Sequence, residues 1–424
     1  MRREQGRLQK RKRQQKRKNI IHFSVVMVLA IIVAFLVSQL VDLSAPSRPV
    51  QTNDNKVSNT NETNTPNQQV QKARIMASGD MLYHIPIYES ALQSDGTYDF
   101  SNNYKQIKSL ISSADLALGD FEGTINEDYP LGGYPLFNAP KEVVSAIKDA
   151  GYDVIDLAHN HILDSGLSGL KTTYQAFESA GLQPFGVSVD GSRDILIKEV
   201  NGIKIAILGY AYGFNGLEAQ LTDAEYQTHL RDLNEPKIKE DLEKAEKLAD
   251  ITVVMPQMGI EYMLSPTSEQ QRLYRQMIEW GADIIFGGHP HVMEPTEIIH
   301  KDGEQKFIIY SMGNLLSNQR VESMDDTANK EWTERGVIVE VSVEKANDQT
   351  KISDIVLHPT WVSRVAIPGK VRQNGLPAYD YQVVLGKNYL EDGEYVDSVD
   401  SETLERIRHA YHATLEFLNL QFKR

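Results

Sequence analysis

From Ala73 onward, the sequence alternates between short apolar runs and segments with helical spacing. One helix is indicated after Pro140 and ends at Gly151, and another over 267–280 ends at Gly281. Pro suits the first turn of a helix, and Gly suits the residue after its last turn. Strands separated by helices in this way predict an α/β fold. The predicted strands are ARIMA (73–77), DLAL (115–118), YDVIDLA (152–158), IKIAILGY (203–210), ITVVM (251–255), ADIIFGG (282–288) and KFIIYSMG (306–313).

The pattern changes in the last quarter of the chain, where helices no longer separate the apolar runs. The runs 336–344 and 352–362 predict an antiparallel pair of strands. Ser401 is the predicted cap of a last helix that has its apolar residues on one stripe. We therefore expect a main domain over 74–318, followed by a C-terminal β extension and a closing helix over 319–424.

Near the amino end, the apolar run Ile20–Val41 follows a strongly basic segment. Residues 1–18 contain ten Lys and Arg and one Glu, a net charge of +9. As a helix the run would span about 33 Å, against a bilayer core of about 30 Å. The positive-inside rule then predicts a basic cytoplasmic tail over 1–19, a single transmembrane helix over 20–41 and an extracellular main domain. The alternative is a cleaved signal peptide, but its apolar region is usually shorter and is followed by a small-x-small site, which is not seen here.

The remainder of the chain is acidic. Residues 42–73 are rich in Asn, Thr, Gln and Pro and predict a disordered stalk. The whole chain has 44 basic and 58 acidic residues, so residues 19–424 have 34 and 57 and a net charge of −23. An acidic body excludes a general nucleic-acid binder. The absence of cysteine excludes a Cys-ligated zinc site, an iron–sulfur cluster and a Cys nucleophile.

Four short polar motifs directly follow predicted strands. In open α/β sheets, the loops at the carboxyl ends of strands share one edge, where ligands bind. Asp, Glu, Asn and His side chains gathered at one edge would form an oxygen- and nitrogen-lined site suited to Mn, Fe or Zn. The motifs are Ser78-Gly79-Asp80, Gly119-Asp120-Phe121-Glu122-Gly123, Ala158-His159-Asn160-His161 and Gly287-Gly288-His289-Pro290-His291.

The order of these motifs resembles that of the calcineurin-like metallophosphoesterases. The chain is more similar still to the CapA-type family of capsule, or poly-γ-glutamate, synthesis, over about 74–317. This resemblance implies a four-layer α/β-β/α sandwich of the metallophosphoesterase type, outside the cytoplasm and behind an N-terminal anchor. The segments that carry the resemblance are APKEVVSAIKDAGYDVIDLAHNHILDSG (139–166), GIEY (259–262), GGHPHV (287–292) and YSMGNLL (310–316).

The resemblance also implies a role for each matching residue. Asp120, at the Gly-Asp motif, would bridge two ions. His161 would be the acid that protonates the leaving oxygen, or would stabilise charge on the transferred group. Asp164 would either orient His161 or cap a helix. The implied cofactor is one or two divalent ions of Mn, Fe or Zn. The implied metal ligands are Asp80, Asp120, Glu122, Asn160, His289 and His291, with His84, His159, Gln257, Glu261 and Asn314 as accessory candidates.

Two positions depart from the pattern of the family. Leu82 occupies the place of the histidine in Asp-x-His, and His84 lies two residues later. Gln257 stands where the family has a histidine ahead of its Glu-Tyr pair. An amide carbonyl is a poor substitute for imidazole at a transition metal. The sequence is therefore compatible with two ions, one ion, weak binding or none.

Three functions are compatible with these features. The first is a role in the synthesis, export or anchoring of an anionic cell-surface polymer such as poly-γ-glutamate, with membrane synthase subunits as partners. The second is a cell-surface metal-dependent phosphoesterase or other hydrolase. The third is a non-catalytic binding scaffold of the same fold, which the substitutions at Leu82 and Gln257 favour. An acidic body repels a polyanion, so the first function requires a cation or a local basic groove at the contact.

Overall fold

The computed structural model describes residues 70–324 and 329–423. The predicted tail over 1–19, the predicted transmembrane helix over 20–41 and most of the predicted stalk lie outside these residues. Within the described ranges, no helix is long and apolar enough to cross a membrane.

The first sheet contains the strands that open the main domain and those that end it. Its order is β14-β13-β12-β1-β2-β3-β4, and β11 pairs with β1. Strands β1 to β4 run parallel, whereas β12 to β14 are antiparallel to their neighbours. The strands are β1 (Gln71–Leu82), β2 (Leu116–Glu122), β3 (Val154–Asp156), β4 (Gln183–Phe185), β11 (Asn314–Leu316), β12 (Arg335–Ala346), β13 (Gln349–Val371) and β14 (Pro377–Leu385).

The second sheet has the order β5-β6-β7-β8-β10-β9. Its inner strands β6, β7, β8 and β10 are parallel, and the edge strands β5 and β9 are antiparallel to their neighbours. The strands are β5 (Leu196–Val200), β6 (Ile203–Ala211), β7 (Ile251–Gln257), β8 (Ile284–Phe286), β9 (Met293–Lys301) and β10 (Glu304–Met312).

Helices connect most of the parallel strands, as the sequence alternation indicates. They are α1 (Ile85–Ala91), α2 (Lys108–Ile111), α3 (Glu142–Ala150), α4 (Gly166–Ser179), α5 (Asp223–His229), α6 (Glu235–Leu248), α7 (Ser268–Glu279) and α8 (Ser401–Leu418). Short 3-10 helices lie at Leu217–Gln220, Lys330–Trp332, Gly386–Tyr389 and Val396–Ser398.

The apolar core lies on both faces of each sheet. Because side chains alternate along a strand, Ile75 on β1 points to a cluster between the two sheets and Met76 to a cluster beneath the helices. In the inner cluster, Leu118 of the first sheet shares the core with Val253 of the second. The outer face of the first sheet packs on α3 and α4, and that of the second sheet on α6 and α7. The layers are therefore helix, sheet, sheet and helix.

The structure confirms the predicted α/β fold and the antiparallel pair, which is β12 with β13. The predicted cap of the last helix was wrong by one residue. Asp400 is the cap, because its side chain accepts a hydrogen bond of 2.9 Å from the Thr403 N–H, and Ser401 is the first residue of the helix. The sequence pattern did not indicate the edge strands β5, β9 and β14.

Candidate metal centre

The ends of three neighbouring strands place three carboxylates in a row. Asp80 on β1 is in register with Asp120 on β2, and Asp120 is in register with Asp156 on β3. Residues in register on parallel strands point to the same side of the sheet, so these side chains lie side by side. Glu122, two residues beyond Asp120, points to that side as well. All four are buried.

The chain passes from the second sheet to the first directly beside Asp80. Strand β10 ends at Met312, and Asn314 on β11 is paired with Asp80. The Asp80 N–H donates a hydrogen bond of 3.0 Å to the Gly313 carbonyl. A Cβ at Gly79 would lie 1.8 Å from that carbonyl oxygen, so only glycine allows this approach.

The second sheet contributes Gln257 at the end of β7 and the two histidines of the loop after β8. His289 and His291 have φ values of 95° and 57°, in the left-handed region. Such a backbone costs about 1–3 kcal/mol at a residue that is not glycine, and persists only where the surroundings impose it. A Cβ at Gly288, before His289, would lie 3.1 Å from the carboxylate oxygens of both Asp80 and Asp120. The loop therefore packs directly on the row of carboxylates.

Asp80, Glu122 and His291 form a group that could hold a metal ion. Each offers one ligand atom, and the three atoms lie within 4.8 Å of one another. His291 Nδ1 is 2.9 Å from Asp80 Oδ2 and 3.8 Å from Glu122 Oε2. Two carboxylates and one imidazole suit Mn, Fe or Zn.

The electrostatics of this group favour a bound positive charge. Burial, reinforced by the charge of Asp80, raises the pKa of Glu122 to about 7 and holds the pKa of Asp120 well above its ordinary value. Burial would lower the pKa of His291, but Glu122 and Asp80 outweigh it and raise this pKa to about 9. Burial, together with the charges of the neighbouring histidines, lowers the pKa of His289 to about 3. Cation binding in place of these protons would release them to solvent.

Gln257 faces the carboxylates with its amide nitrogen. Its Nε2 donates a hydrogen bond of 3.1 Å to Asp120 Oδ2, and a second, short one to Glu122 Oε1. Its Oε1 accepts a hydrogen bond of 3.4 Å from the Asn160 backbone N–H. In this orientation Gln257 presents N–H donors, and no lone pair, to the carboxylates.

The loop after β3 holds His161 in a fixed orientation. His161 Nδ1 lies 2.8 Å from Asp164 Oδ2, and the same oxygen accepts a hydrogen bond of 2.6 Å from the Phe137 N–H. The Phe137 ring packs edge-on against His161, with ring centroids 4.7 Å apart. Helix α4 follows Ser165, and no side chain caps it. Of the two interpretations of Asp164, the contacts therefore support the one in which it orients His161.

Several acceptor atoms around the group are buried and accept no hydrogen bond from any described residue. Buried polar atoms are almost always paired in proteins, so a set of unpaired acceptors at one place indicates a missing positive or donor group. A divalent cation fits this set, because its atoms are oxygen and nitrogen ligands. They are Asp80 Oδ1, Asp120 Oδ1, Glu122 Oε2, Asn160 Oδ1 and His289 Nδ1.

The accessory candidates lie around the group and are not part of it. His84 Nδ1 lies 3.1 Å from the Leu82 carbonyl oxygen and 3.3 Å from the Asn318 backbone nitrogen, and burial lowers the pKa of His84 to about 4. His159 Nδ1 accepts one of 3.2 Å from the His161 N–H. Glu261 is exposed. Asn314 is buried and donates to Gln319 Oε1 and to the Thr333 carbonyl.

Three further residues belong to the site, although the sequence motifs did not indicate them. Asp156 extends the carboxylate row, but it lies inside the predicted strand 152–158, so the strand pattern did not single it out. Asn215 Oδ1 accepts a hydrogen bond of 3.3 Å from Asn160 Nδ2. The Tyr212 ring lies 4.4 Å from that of His289, and the side chain is 45% exposed. Nothing in the sequence around Tyr212 and Asn215 indicated these contacts.

Comparison with known proteins identifies relatives of the chain. The family model described as "Bacterial capsule synthesis protein PGA_cap" matches residues 74–319, more than half of the chain. The "Capsule biosynthesis protein CapA" of Bacillus anthracis is 30% identical over 236 residues, which are 53% of this chain and 56% of that protein. The "PGA biosynthesis protein CapA" of Bacillus subtilis (strain 168) is 32% identical over 223 residues, which are 51% of this chain and 57% of that protein.

The chain thus spans a little more than half the length of these relatives. Among solved structures, the chain is similar to the calcineurin-like phosphoesterase YfkN from Bacillus subtilis, with a TM-score of 0.39 and 14% identity. That likeness covers 83% of this chain and all of the other, and it is distant. The family match confirms the resemblance given by the sequence motifs, and the chain belongs to the PGA_cap family of bacterial capsule synthesis proteins.

Proposed function

We propose that this protein acts outside the cytoplasm in the synthesis, export or anchoring of an anionic capsule polymer such as poly-γ-glutamate. The names of its two Bacillus relatives support this role, since both describe capsule or PGA biosynthesis. A single helix over 20–41 anchors the protein in the cell membrane, with residues 1–19 in the cytoplasm. Membrane synthase subunits are its partners in this proposal.

The observation that carries a chemical role is the buried group of Asp80, Glu122 and His291 with its unpaired oxygens. A divalent ion bound there would act as a Lewis acid and would lower the pKa of a bound water molecule. Asp80, Glu122 and His291 would hold the ion. It would also offset the repulsion between the acidic body of the protein and an anionic polymer.

The pair His161 and Asp164 favours the second candidate function, a metal-dependent hydrolase. Asp164 accepts hydrogen bonds from the Phe137 N–H and from Nδ1 of His161, so the His161 ring is held from one side. A histidine oriented in this way can deliver a proton to a leaving group from its other nitrogen. The bond cleaved would be a phosphodiester or an amide. Gln257 and Leu82 favour instead a non-catalytic scaffold that binds the polymer or its synthase.

The role in the capsule is tested in a bacterium that makes poly-γ-glutamate and lacks its own relative of this protein. The full chain is expressed there, and surface polymer is measured. We expect wild-type protein to restore the polymer, and the Asp80→Asn, His291→Ala double variant to restore much less. If wild-type protein accumulates in the membrane and no polymer appears, the proposed function is wrong for this protein.

The two chemical candidates are separated by turnover. Turnover of a phosphodiester and of γ-glutamyl amides is measured with the purified full chain and Mn²⁺. The variants Asp164→Asn and His161→Gln are assayed in the same way. The hydrolase candidate requires turnover that both variants reduce on the order of 100-fold or more, the range typical of lost acid–base catalysis. Restored polymer without turnover on these substrates would support the scaffold.

A further inference from the structure

Gln257 stands at the carboxyl end of β7, where it is 1% exposed and its side chain lies between Asp120 and Glu122. Its Nε2 donates to Oδ2 of Asp120 and to Oε1 of Glu122. The amide N–H groups thus donate to two neighbouring carboxyl groups, and such hydrogen bonds are stronger when the acceptor is ionised. The two hydrogen bonds offset part of the repulsion between the charged forms of Asp120 and Glu122.

The contacts on the other side of the amide fix the same orientation. Gln257 Oε1 accepts a hydrogen bond from the Asn160 backbone N–H at 3.4 Å. Rotating the amide by 180° would direct its oxygen at the oxygens of Asp120 and Glu122, and its NH₂ group at the Asn160 N–H. Both ends would then be mismatched, oxygen against oxygen and donor against donor. The amide is held with its nitrogen toward the carboxylates.

An amide nitrogen in this position cannot serve as a metal ligand. The NH₂ group of Gln has two donors and no free lone pair, and only the carbonyl oxygen binds cations. Gln257 therefore occupies the space beside Asp120 and Glu122 with a group that repels cations. A histidine at this position would offer a nitrogen lone pair instead.

The remaining ligand atoms fall into two unequal sets. Asp80, Glu122 and His291 form the compact group, with two carboxylates and one imidazole. Asn160 Oδ1 and His289 Nδ1 are unpaired as well, but both belong to neutral side chains, and His289 is not part of the compact group. A cation at this second set would depend on Asp120 for negative charge, and one oxygen of Asp120 already accepts from Gln257.

We infer that Gln257 restricts the centre to a single divalent cation, held by Asp80, Glu122 and His291. The inference rests on the proposed metal centre and adds the number of ions and the residue that sets it. The amide protons of Gln257 take over part of the charge compensation that a second ion would give. Asn160 Oδ1 and His289 Nδ1 are then left as acceptors for water or for a donor group of the substrate.

The test counts ions in the full chain, purified in detergent, stripped with a chelator and reloaded with Mn²⁺. Bound Mn per chain is measured by mass spectrometry of the metal after dialysis. The electron paramagnetic resonance spectrum separates an isolated Mn²⁺ from an exchange-coupled pair. The Asp80→Asn, His291→Ala double variant gives the background from other parts of the chain.

We expect one ion per wild-type chain above that background, with the spectrum of an isolated ion. Gln257→His should bind two ions and show coupling, and adding His289→Ala should return it to one. Gln257→Glu, which keeps the shape of the side chain and adds an oxygen ligand, should also bind two if Gln257→His does not fold.

Two ions in wild-type protein, both lost in the double variant, would overturn the single-ion inference and leave the proposed metal centre standing. A folded Gln257→His or Gln257→Glu that stays at one ion would also overturn it. If wild-type protein binds no ion above the background, the metal centre itself is wrong, and the inference falls with it.

Discussion

His291 Nδ1 lies 2.9 Å from Asp80 Oδ2, although the two residues are 211 positions apart; Asp80 lies on β1 of the first sheet, and His291 follows β8 of the second. This contact exists because the carboxyl ends of β1 and β8 face the same space. The crossing of the chain at Gly313, beside Asp80, holds the two sheets together at that point. One buried site therefore draws ligand atoms from both halves of the sandwich.

Replacement of Asp80 by Asn should abolish tight metal binding. The variant keeps the shape of the side chain but removes a charge from the group with Glu122 and His291. Because even residues behind the ligands change metal affinity about 10–100-fold, loss of a charged ligand should lower Mn²⁺ affinity on the order of 100-fold or more. Isothermal titration calorimetry measures this, with the exposed Asp149→Asn as the matched control. Equal affinities in the two variants would contradict the assignment.

Alanine at Gly288 should weaken metal binding without unfolding the protein. A Cβ there would lie 3.1 Å from Asp120 Oδ2 and from Asp80 Oδ1, which is tight but can be relieved by small shifts of the two carboxylates. We expect a lower Mn²⁺ affinity and a nearly unchanged melting temperature. Gly213→Ala is the control, because no atom lies within 4 Å of its added Cβ. An unchanged affinity in Gly288→Ala would show that the loop does not press on the carboxylates.

The buried carboxyl of Glu294 should make stability fall as the pH rises. Burial raises the pKa of Glu294 from 4.5 to about 8, opposed by the hydrogen bond from Gln270. Between these two values the unfolded chain has lost this proton and the folded chain still holds it. The contribution of Glu294 to the free energy of unfolding therefore decreases through this window, by a few kcal/mol. Above the window this contribution no longer changes with pH.

Glu294→Gln isolates that contribution. The new amide oxygen can still accept the hydrogen bond from Gln270, but the side chain no longer titrates. Urea unfolding of both proteins is compared at several pH values between about 4.5 and 8. The variant should gain stability relative to wild type as the pH rises. If the two stability profiles run parallel, Glu294 does not hold its proton in the folded state.

The packing of the closing helix α8 on the rest of the protein should depend on Glu334, which is 2% exposed. Its carboxylate accepts hydrogen bonds from Trp361 Nε1 at 3.0 Å and from Arg406 Nη2 of helix α8 at 2.7 Å. Glu334 also lies 3.5 Å from the buried Arg320, so Glu334→Ala leaves a buried charge unpaired and should cost about 3–5 kcal/mol. Arg272→Ala, which breaks exposed ion pairs with Glu235 and Glu269, should cost far less. Chemical denaturation measures both, and similar losses would contradict this account of Glu334.

The sequence predicted the elements better than the contacts between them. Strand runs such as 203–210 and 251–255 are long enough and apolar enough to identify β6 and β7. Edge strands such as β9 are half-buried and mixed in polarity, so their pattern resembles that of a loop. The N-cap differed by one position because Asp400 and Ser401 are both good caps, and only the backbone conformation distinguishes them.

For the site, the motifs named the residues that the fold brings together, but not their orientation. The position of Gln257 in the sequence did not reveal which end of its amide faces Asp120, since that depends on the Asn160 N–H across the site. Asp156 was not recognised as a site residue, because it lies inside the predicted strand 152–158, whereas Asp80 and Asp120 come after predicted strands. Its place in the row depends on strand register, and the sequence does not specify register between distant strands.

Asp80, Glu122 and His291 form the proposed metal centre from which the other predictions about the site follow. Anomalous diffraction at the manganese absorption edge, from crystals of the Mn²⁺-loaded protein, would locate the ion. We expect one anomalous peak, within bonding distance of a carboxylate oxygen of Asp80, a carboxylate oxygen of Glu122 and a ring nitrogen of His291. No peak at this place in fully loaded protein, or a peak bound by other residues, would contradict this assignment.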